Sequence, residues 1–264
     1  MCPNCRAFIT TSDKVCPYCE MRLAPPARAR AESGQILGGL IPQVRFTTVM
    51  ILLINTAFYI ADELSGHRLA EAGASAPWND PIFGNQHQLW RLITAGFLHG
   101  GISHILMNSW VLFDLGAEVE QIYGTSRLIV FYFFSTVTGF FLSSITGQTS
   151  VGSSAGIFGL LGAMIAFGVT DKSALGAQVK ALYTRWLMYM LALSFLPMLI
   201  PMGFRIDYFA HIGGLAGGFV AGYLASTPRA RLMWKEPLIR TLAGVSLALT
   251  AGAFTMMFLY MTGH

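Results

Sequence analysis

Charge is what this chain lacks. Only 11% of its 264 residues are Asp, Glu, Lys or Arg, while 54% are hydrophobic. A soluble domain carries about 25% charged residues, so an ordinary water-soluble globule is excluded. Cysteine is absent after position 19, which excludes a disulfide framework for the body of the chain. The apolar stretches show no period-2 alternation, which argues against a β-barrel. The first forty residues contain no apolar run like the core of a secretory signal. The first span is therefore expected to act as its own insertion signal.

What is present is long apolar runs. Seven blocks, at about 46–64, 101–118, 128–146, 154–170, 182–200, 208–225 and 238–261, approach the roughly 20 residues that cross a bilayer. Helices are then the way to satisfy the backbone in lipid, so the predicted class is an all-α membrane protein. With the N-terminus in the cytosol, fourteen of the seventeen Lys and Arg lie in cytosolic segments or span ends. Only Arg68, Arg91 and Arg205 lie outside, as the positive-inside rule requires, and the C-terminus falls outside too. The pI of about 9.0 thus reflects topology. The positive charges are spread over several short loops, so no nucleic-acid partner is expected.

All four cysteines form two CxxC pairs, Cys2-Pro-Asn-Cys5 and Cys16-Pro-Tyr-Cys19. Four thiolates can hold one tetrahedral zinc, although the intervening segment is shorter than the roughly 15–20 residues usual in such sites. Two disulfides or four idle thiols are the bland readings, and a reducing cytosol disfavours disulfides. Iron also fits four thiolates. Residues 1–22 are expected to be a zinc-ribbon-like head, and 23–42 a linker. The head is too small to be catalytic and suits a docking or sensing role, with a cytosolic protein as the expected partner.

Ionisable or nucleophilic groups inside spans are costly and mark function. Of six histidines, only His104 and His211 fall in spans. His211 lies four residues after Asp207 and is followed by Gly214 and Gly218, a GxxxG face that lets a second helix come close. The bland reading is helix packing with a satisfied histidine. A second cluster runs Gly152-Ser153-Ser154-Ala155-Gly156, with Phe158 one turn on. The apolar stretch after it covers about 24 Å of helix against a hydrocarbon core of about 30 Å. The helix should therefore begin below the outer surface, where a serine meets free N–H groups and the positive dipole end. Such a place suits an oxyanion, but Ser153 or Ser154 could equally be a plain N-cap. A third cluster is His104 and Asn108, one turn apart; interhelical glue is its bland reading. All three clusters fall at the same outer depth, for which unrelated packing features give no reason.

Together these motifs resemble the rhomboid intramembrane serine proteases. The likeness rests on Gly152-x-Ser154, on Ala210-His211-x-x-Gly214-x-x-x-Gly218 and on His104-x-x-x-Asn108, with Trp90-Arg91, Glu120 and Gly124 in support. The resemblance implies a six-helix core over 43–226 with an outward-facing wet cavity, and a seventh span within 236–264. It implies Ser154 as nucleophile, His211 as general base, and His104, Asn108 and the Ser154 N–H as the oxyanion hole. Gly152, Phe158, Gly214, Gly218, Trp90 and Arg91 are implied as support, with Phe158 packing on the histidine. Trp186 to Phe195 and the loop 201–206 are implied as gate and cap. The chain departs from the family pattern at Ala155, where glycine is usual.

The implied activity is cleavage of membrane proteins near the outer end of a span by a Ser–His dyad; no clear acid completes a triad, and the chemistry needs no cofactor. A bacterial-type plasma membrane is the expected location, since no Arg- and Ser-rich presequence is visible. The main rival is an inactive rhomboid-like scaffold or chaperone. Such proteins usually lack the serine or the histidine, and both are present here. A transporter is a weaker rival, because no inverted repeat is visible.

Overall fold

The computed structural model describes residues 5, 15, 16, 18–21, 35, 36, 41, 42, 45–81, 88–194, 206–225 and 235–263. The chain divides into two compact units, Met1–Gln43 and Val44–His264.

In the first unit, a tight turn carries the second cysteine pair. Cys16 N–H donates to the Met21 carbonyl, and Glu20 N–H donates back to the Cys16 carbonyl, both at 2.9 Å. A minimal antiparallel pair joins Gln35–Ile36 to Ile41–Pro42.

The second unit is helical. Its elements are α1 (Phe46–Leu64), α2 (Arg68–Gly73), α3 (Arg91–Thr94), α4 (Ile102–Tyr123), α5 (Thr125–Ile145), α6 (Ser154–Thr170), α7 (Ala174–Ser194), α8 (Tyr208–Ala225) and α9 (Glu236–Thr262). All seven predicted blocks appear as helices, four of them with shifted ends, and residues 195–200 of the fifth lie outside the described residues. The fifth was expected over 182–200, but α7 begins at Ala174 and is described to Ser194. Lys180 lies in its first half and Arg185 just past its middle, and hydropathy undercounts a helix that carries such charges. By length and composition, α1, α5 and α9 are long and apolar enough to cross a membrane, and α6 is a shorter apolar helix. This is the make-up of an integral membrane protein.

Helix α6 is the axis. Every residue from Ala155 to Gly168 is buried except Ile165. Its main neighbour is α8, and the two together carry nine glycines. In aqueous scales each glycine costs a helix up to about 1 kcal/mol relative to alanine, so packing must outweigh propensity here. The packing is backbone against backbone. A Cβ on Gly218 would collide with the Gly159 carbonyl, one on Gly214 with the Ala155 carbonyl, and one on Gly162 with the Leu215 carbonyl. On the far side of α8, Thr138 of α5 donates to the Gly213 carbonyl at 3.0 Å.

One carboxylate sets the opposite end of the bundle. Glu120, 5% exposed, accepts from the N–H groups of Thr47 and Thr48 at 3.2 and 3.3 Å. It also accepts the Thr48 and Thr125 hydroxyls. It therefore caps the start of α1 and fixes the start of α5. Gly124, the one residue between α4 and α5, turns the chain with φ +82°, a conformation that favours glycine.

The first loop is a second anchor. Arg91 donates to the Glu71 and Ala74 carbonyls at 2.9 and 3.0 Å and to Gln88 Oε1 at 2.6 Å. Helix α9 packs against this loop and the core. Phe254 stacks on Phe58 at 4.3 Å, and the Arg91 guanidinium lies over the Tyr260 ring at 5.8 Å. At the other end of α9, Glu236 receives a two-pronged bond from buried Arg127, at 2.7 and 3.2 Å.

Replacing Gly218 with alanine is expected to destabilise the protein by at least the roughly 1–3 kcal/mol typical of overpacking. Gly244→Ala, whose added methyl meets nothing within 4 Å, should stay within about 0.5 kcal/mol of wild type or rise slightly. Thermal unfolding in detergent checks this pair, and equal losses would contradict the packing account.

Candidate active site

The segment before α6 is held extended from two sides. Ser75 and Ser150 exchange N–H to carbonyl bonds at 3.0 and 3.1 Å, and Gly152 N–H donates to the Ala95 carbonyl at 2.9 Å. Gly152 has φ +135°, and a Cβ there would stand 2.7 Å from the His104 ring and 3.6 Å from Ser154 Oγ. Only glycine therefore lets the histidine ring lie beside the serine. Ser153 occupies the N-cap position of α6 without a side-chain cap bond. Its hydroxyl meets His99 Nε2 at 3.3 Å instead. Ser154 is the first helical residue, where backbone N–H groups have no partner within the helix.

These residues converge on one cavity of about 110 Å³, lined by His104, Asn108, Ser154, Phe158, Asp207 and His211 among others. That is well above the roughly 10–15 Å³ needed for one water. The Phe158 and His211 rings are stacked, with centroids 4.1 Å apart and planes 16° from parallel. Asn108 Nδ2 is buried without a hydrogen-bond partner among the described residues. Gly100 N–H donates to His104 Nδ1 at 3.4 Å, which assigns the ring proton to Nε2. Ser194, which lines the cavity, accepts the Tyr208 hydroxyl at its carbonyl at 3.0 Å.

Asp207 is better placed than its sequence position implies. It lines the cavity, but its carboxylate is already engaged. It accepts the Ala210 N–H at 3.0 Å and the Ser143 hydroxyl, so it acts as the N-cap of α8. This sets the phase of the helix that carries His211.

Of the sequence-predicted residues, Ser154, His211, His104, Asn108 and Phe158 come together. Gly214 and Gly218 lie deeper, at the α6–α8 contact. Trp90 and Arg91 do not reach the cavity; they organise the first loop. Ala155 packs between Gly139 and Gly214, so its methyl fills a helix contact and not the pocket. The gate and cap expectations at Phe195 and 201–205 lie outside the described residues.

One neighbour was missed. His99 is 3% exposed, touches Ser153, and packs edge-on to His104 with centroids 5.3 Å apart. Burial, with a smaller contribution from His104, pushes its pKa down to about 3. Its position in a loop, outside every span, hid it; only the doublet of histidines five apart hinted at it.

In the head, the Sγ atoms of Cys5, Cys16 and Cys19 lie within 4.8 Å of one another. Cys5 and Cys16 are 3.7 Å apart, close to the about 3.8 Å between thiolates at about 2.3 Å from a tetrahedral zinc. The three can hold a metal; Cys2 lies outside the described residues.

Comparison with known proteins gives the family. Residues 86–228 match the Rhomboid domain family. RHOMBOID-like protein 1 of Arabidopsis thaliana is 35% identical over 142 residues, covering 53% of this chain and 35% of that protein. Rhomboid protease GluP of Bacillus subtilis is 29% identical over 224 residues, covering 83% and 41%. Rhomboid-like protease 3 of Toxoplasma gondii is 34% identical over 140 residues, covering 52% of each. This chain therefore belongs to the rhomboid family, and it spans 35–52% of the length of these relatives.

Asp207→Ala is expected to cost about 0.5–2 kcal/mol through the lost cap, with Asp207→Asn close to wild type. Unfolding midpoints of the two variants check this; equal losses would assign the carboxylate another role.

Proposed function

We propose that this protein is an intramembrane serine endopeptidase that cuts membrane proteins near the outer end of a transmembrane segment. The observation that carries this is the single cavity shared by Ser154, His211, His104 and Asn108, with His211 stacked on Phe158. In this reading His211 takes the proton from Ser154 Oγ as the oxygen attacks the peptide carbonyl. The tetrahedral oxyanion is met by Asn108 Nδ2, by His104 Nε2–H and by the Ser154 N–H. His211 then returns its proton to the leaving amine, and a water from the cavity hydrolyses the acyl-enzyme. Asp207 is occupied as a cap, so stacking on Phe158 orients the histidine and the catalytic unit is a dyad. The rival reading, an inactive scaffold, leaves buried Asn108 Nδ2 without a task.

The same reading places the N-terminus and the cysteine head in the cytosol and the cavity mouth outside, in a bacterial-type plasma membrane. Residues 43–226 form the protease core, with the seventh helix as a brace. The head, 1–22, binds one structural zinc through Cys2, Cys5, Cys16 and Cys19 and docks a cytosolic partner; 23–42 links it to the core. Zinc plays no part in the cleavage.

In vesicles carrying a labelled single-span substrate, wild type should cleave, while Ser154→Ala and His211→Ala should each lose at least about 10³-fold in rate, the scale seen when members of such units are removed. Cleavage by Ser154→Ala at the wild-type rate would rule out this mechanism. Metal analysis of the purified full-length protein should find about one zinc per chain. The Cys5→Ser/Cys16→Ser variant should retain less than about half of that, and equal metal in both would remove the zinc site.

A further inference from the structure

Helices α1, α5 and α9 are long and apolar enough to cross a membrane, and a niche of about 130 Å³ lies between them. All three begin at one end of the bundle: Glu120 joins Thr47 to Thr125, and Arg127 joins Glu236. The walls include Met50 and Ile51 of α1, with Ile129 and Phe133 of α5. Three rings close the end toward which the helices run. Phe97 lines the niche and packs edge-on to Phe254 at 5.6 Å, and Phe254 stacks on Phe58 at 4.3 Å. Phe58 and Phe254 lie one turn past the lining residues Ile54 and Thr250. The lips toward lipid are Ile54 of α1 and Leu247 of α9, 42% and 56% exposed.

The space is dry by construction. Thr136, Ser246 and Thr250 border it, but each hydroxyl donates to a carbonyl of its own helix, at 2.7 to 2.8 Å. The Tyr132 hydroxyl is spent on the Gly96 carbonyl at 3.1 Å. A buried water needs about two to four polar partners, and the niche offers none of these hydroxyls. An apolar cavity of about 150 Å³ stays dry and takes up benzene, so this one suits a short run of methylenes. The start of α9 adds a charge. Arg240 lies seven residues before Leu247, on the same helical face and about 10 Å toward the helix start. It is exposed and makes no hydrogen bond or ion pair among the described residues. Glu236, one turn before it, is matched by Arg127 through two bonds, so Arg240 is surplus positive charge. The other cations at this end are turned away: Arg45 lies over the Phe113 ring at 5.1 Å, and Lys235 donates to the Leu224 carbonyl at 3.0 Å.

We propose that this niche seats one acyl chain of a phospholipid whose anionic headgroup is held by Arg240. The apolar walls select the chain. The surplus charge selects the headgroup, as basic pockets between membrane helices do for anionic lipids. Depth agrees as well. Long side chains on a helix lean toward its start, which carries the Arg240 guanidinium toward the interface. The lips lie about 10 Å further in, within half of a hydrocarbon core about 30 Å thick. A lipid of the leaflet at the helix starts therefore reaches the niche with its headgroup still at the surface. In the orientation proposed above that leaflet is the cytosolic one, whose surface is negatively charged. The seated chain supplies van der Waals partners to walls that otherwise face a void, and it joins the seventh helix to the first below the three rings.

The test titrates the full-length protein in detergent with phosphatidylglycerol or with phosphatidylcholine of the same chains, and counts bound lipid by native mass spectrometry. Cleavage plays no part in this readout, so the result stands whether or not the protein is a protease. Wild type is expected to retain one phosphatidylglycerol with a Kd about fivefold below that for phosphatidylcholine, or about 1 kcal/mol for one arginine at the interface. Arg240→Gln should bring that ratio below about twofold. Leu247→Trp, which fills the niche from one lip, should lose the retained lipid of either kind, and Ile54→Trp should do the same from the other lip. Leu249→Trp, on another face of α9 and 51% exposed in the wild type, should retain it and so serves as the control for folding. Equal affinity for the two lipids in wild type, or retention that survives both niche-filling variants, overturns the proposal. So does a lipid-free dimer that Leu247→Trp dissociates, because a second copy of the chain would then cover the niche.

Discussion

The contact on which this molecule depends is the backbone-to-backbone approach of α6 and α8. Ser154 heads one helix and His211 sits in the first turn of the other. Their side chains meet over one cavity only because the helices behind them touch without side chains between. The Gly159–Gly218 and Ala155–Gly214 contacts leave no room for even a methyl on α8. In lipid, apolar side chains gain little by leaving their surroundings, so close van der Waals packing carries helix association. The stack of Phe158 on His211 then uses that proximity: one helix orients the imidazole carried by the other.

Around this axis, buried polar groups do what loops cannot do alone in a membrane. Backbone away from water must find partners within the protein. Glu120 satisfies the first N–H groups of α1, Asp207 those of α8, and Arg91 the carbonyls left by α2. The strand-like segment at Ser150 to Gly152 is held between Ser75 and Ala95, so the residue before the helix arrives at a fixed depth. The seventh helix belongs to the same scheme. Its Phe254 and Tyr260 press on the core and on the first loop, next to the part that holds Gly152.

Most of the architecture was legible in residues. Apolar run lengths named the class and the helices, because lipid imposes them directly. The spacing of His104 with Asn108, and of His211 with Gly214 and Gly218, pointed to faces, because helical geometry is local. Helix ends were less legible. The α7 start at Ala174 was hidden by Lys180 and Arg185, whose long stems can reach the water interface from within a helix.

By itself the sequence determined a polytopic helical protein and its candidate chemical groups, since burial in lipid and the 3.6-residue turn act on short stretches of chain. Tertiary structure decided how those groups are used. It made Asp207 the cap of α8, by aiming its carboxylate at Ala210 and Ser143. It brought His99 from a loop to the back of His104 and placed Ala155 in a helix contact. Each of these depends on contacts between residues distant in the chain, and the direction in which a side chain points across a bundle is set by packing that no local pattern encodes.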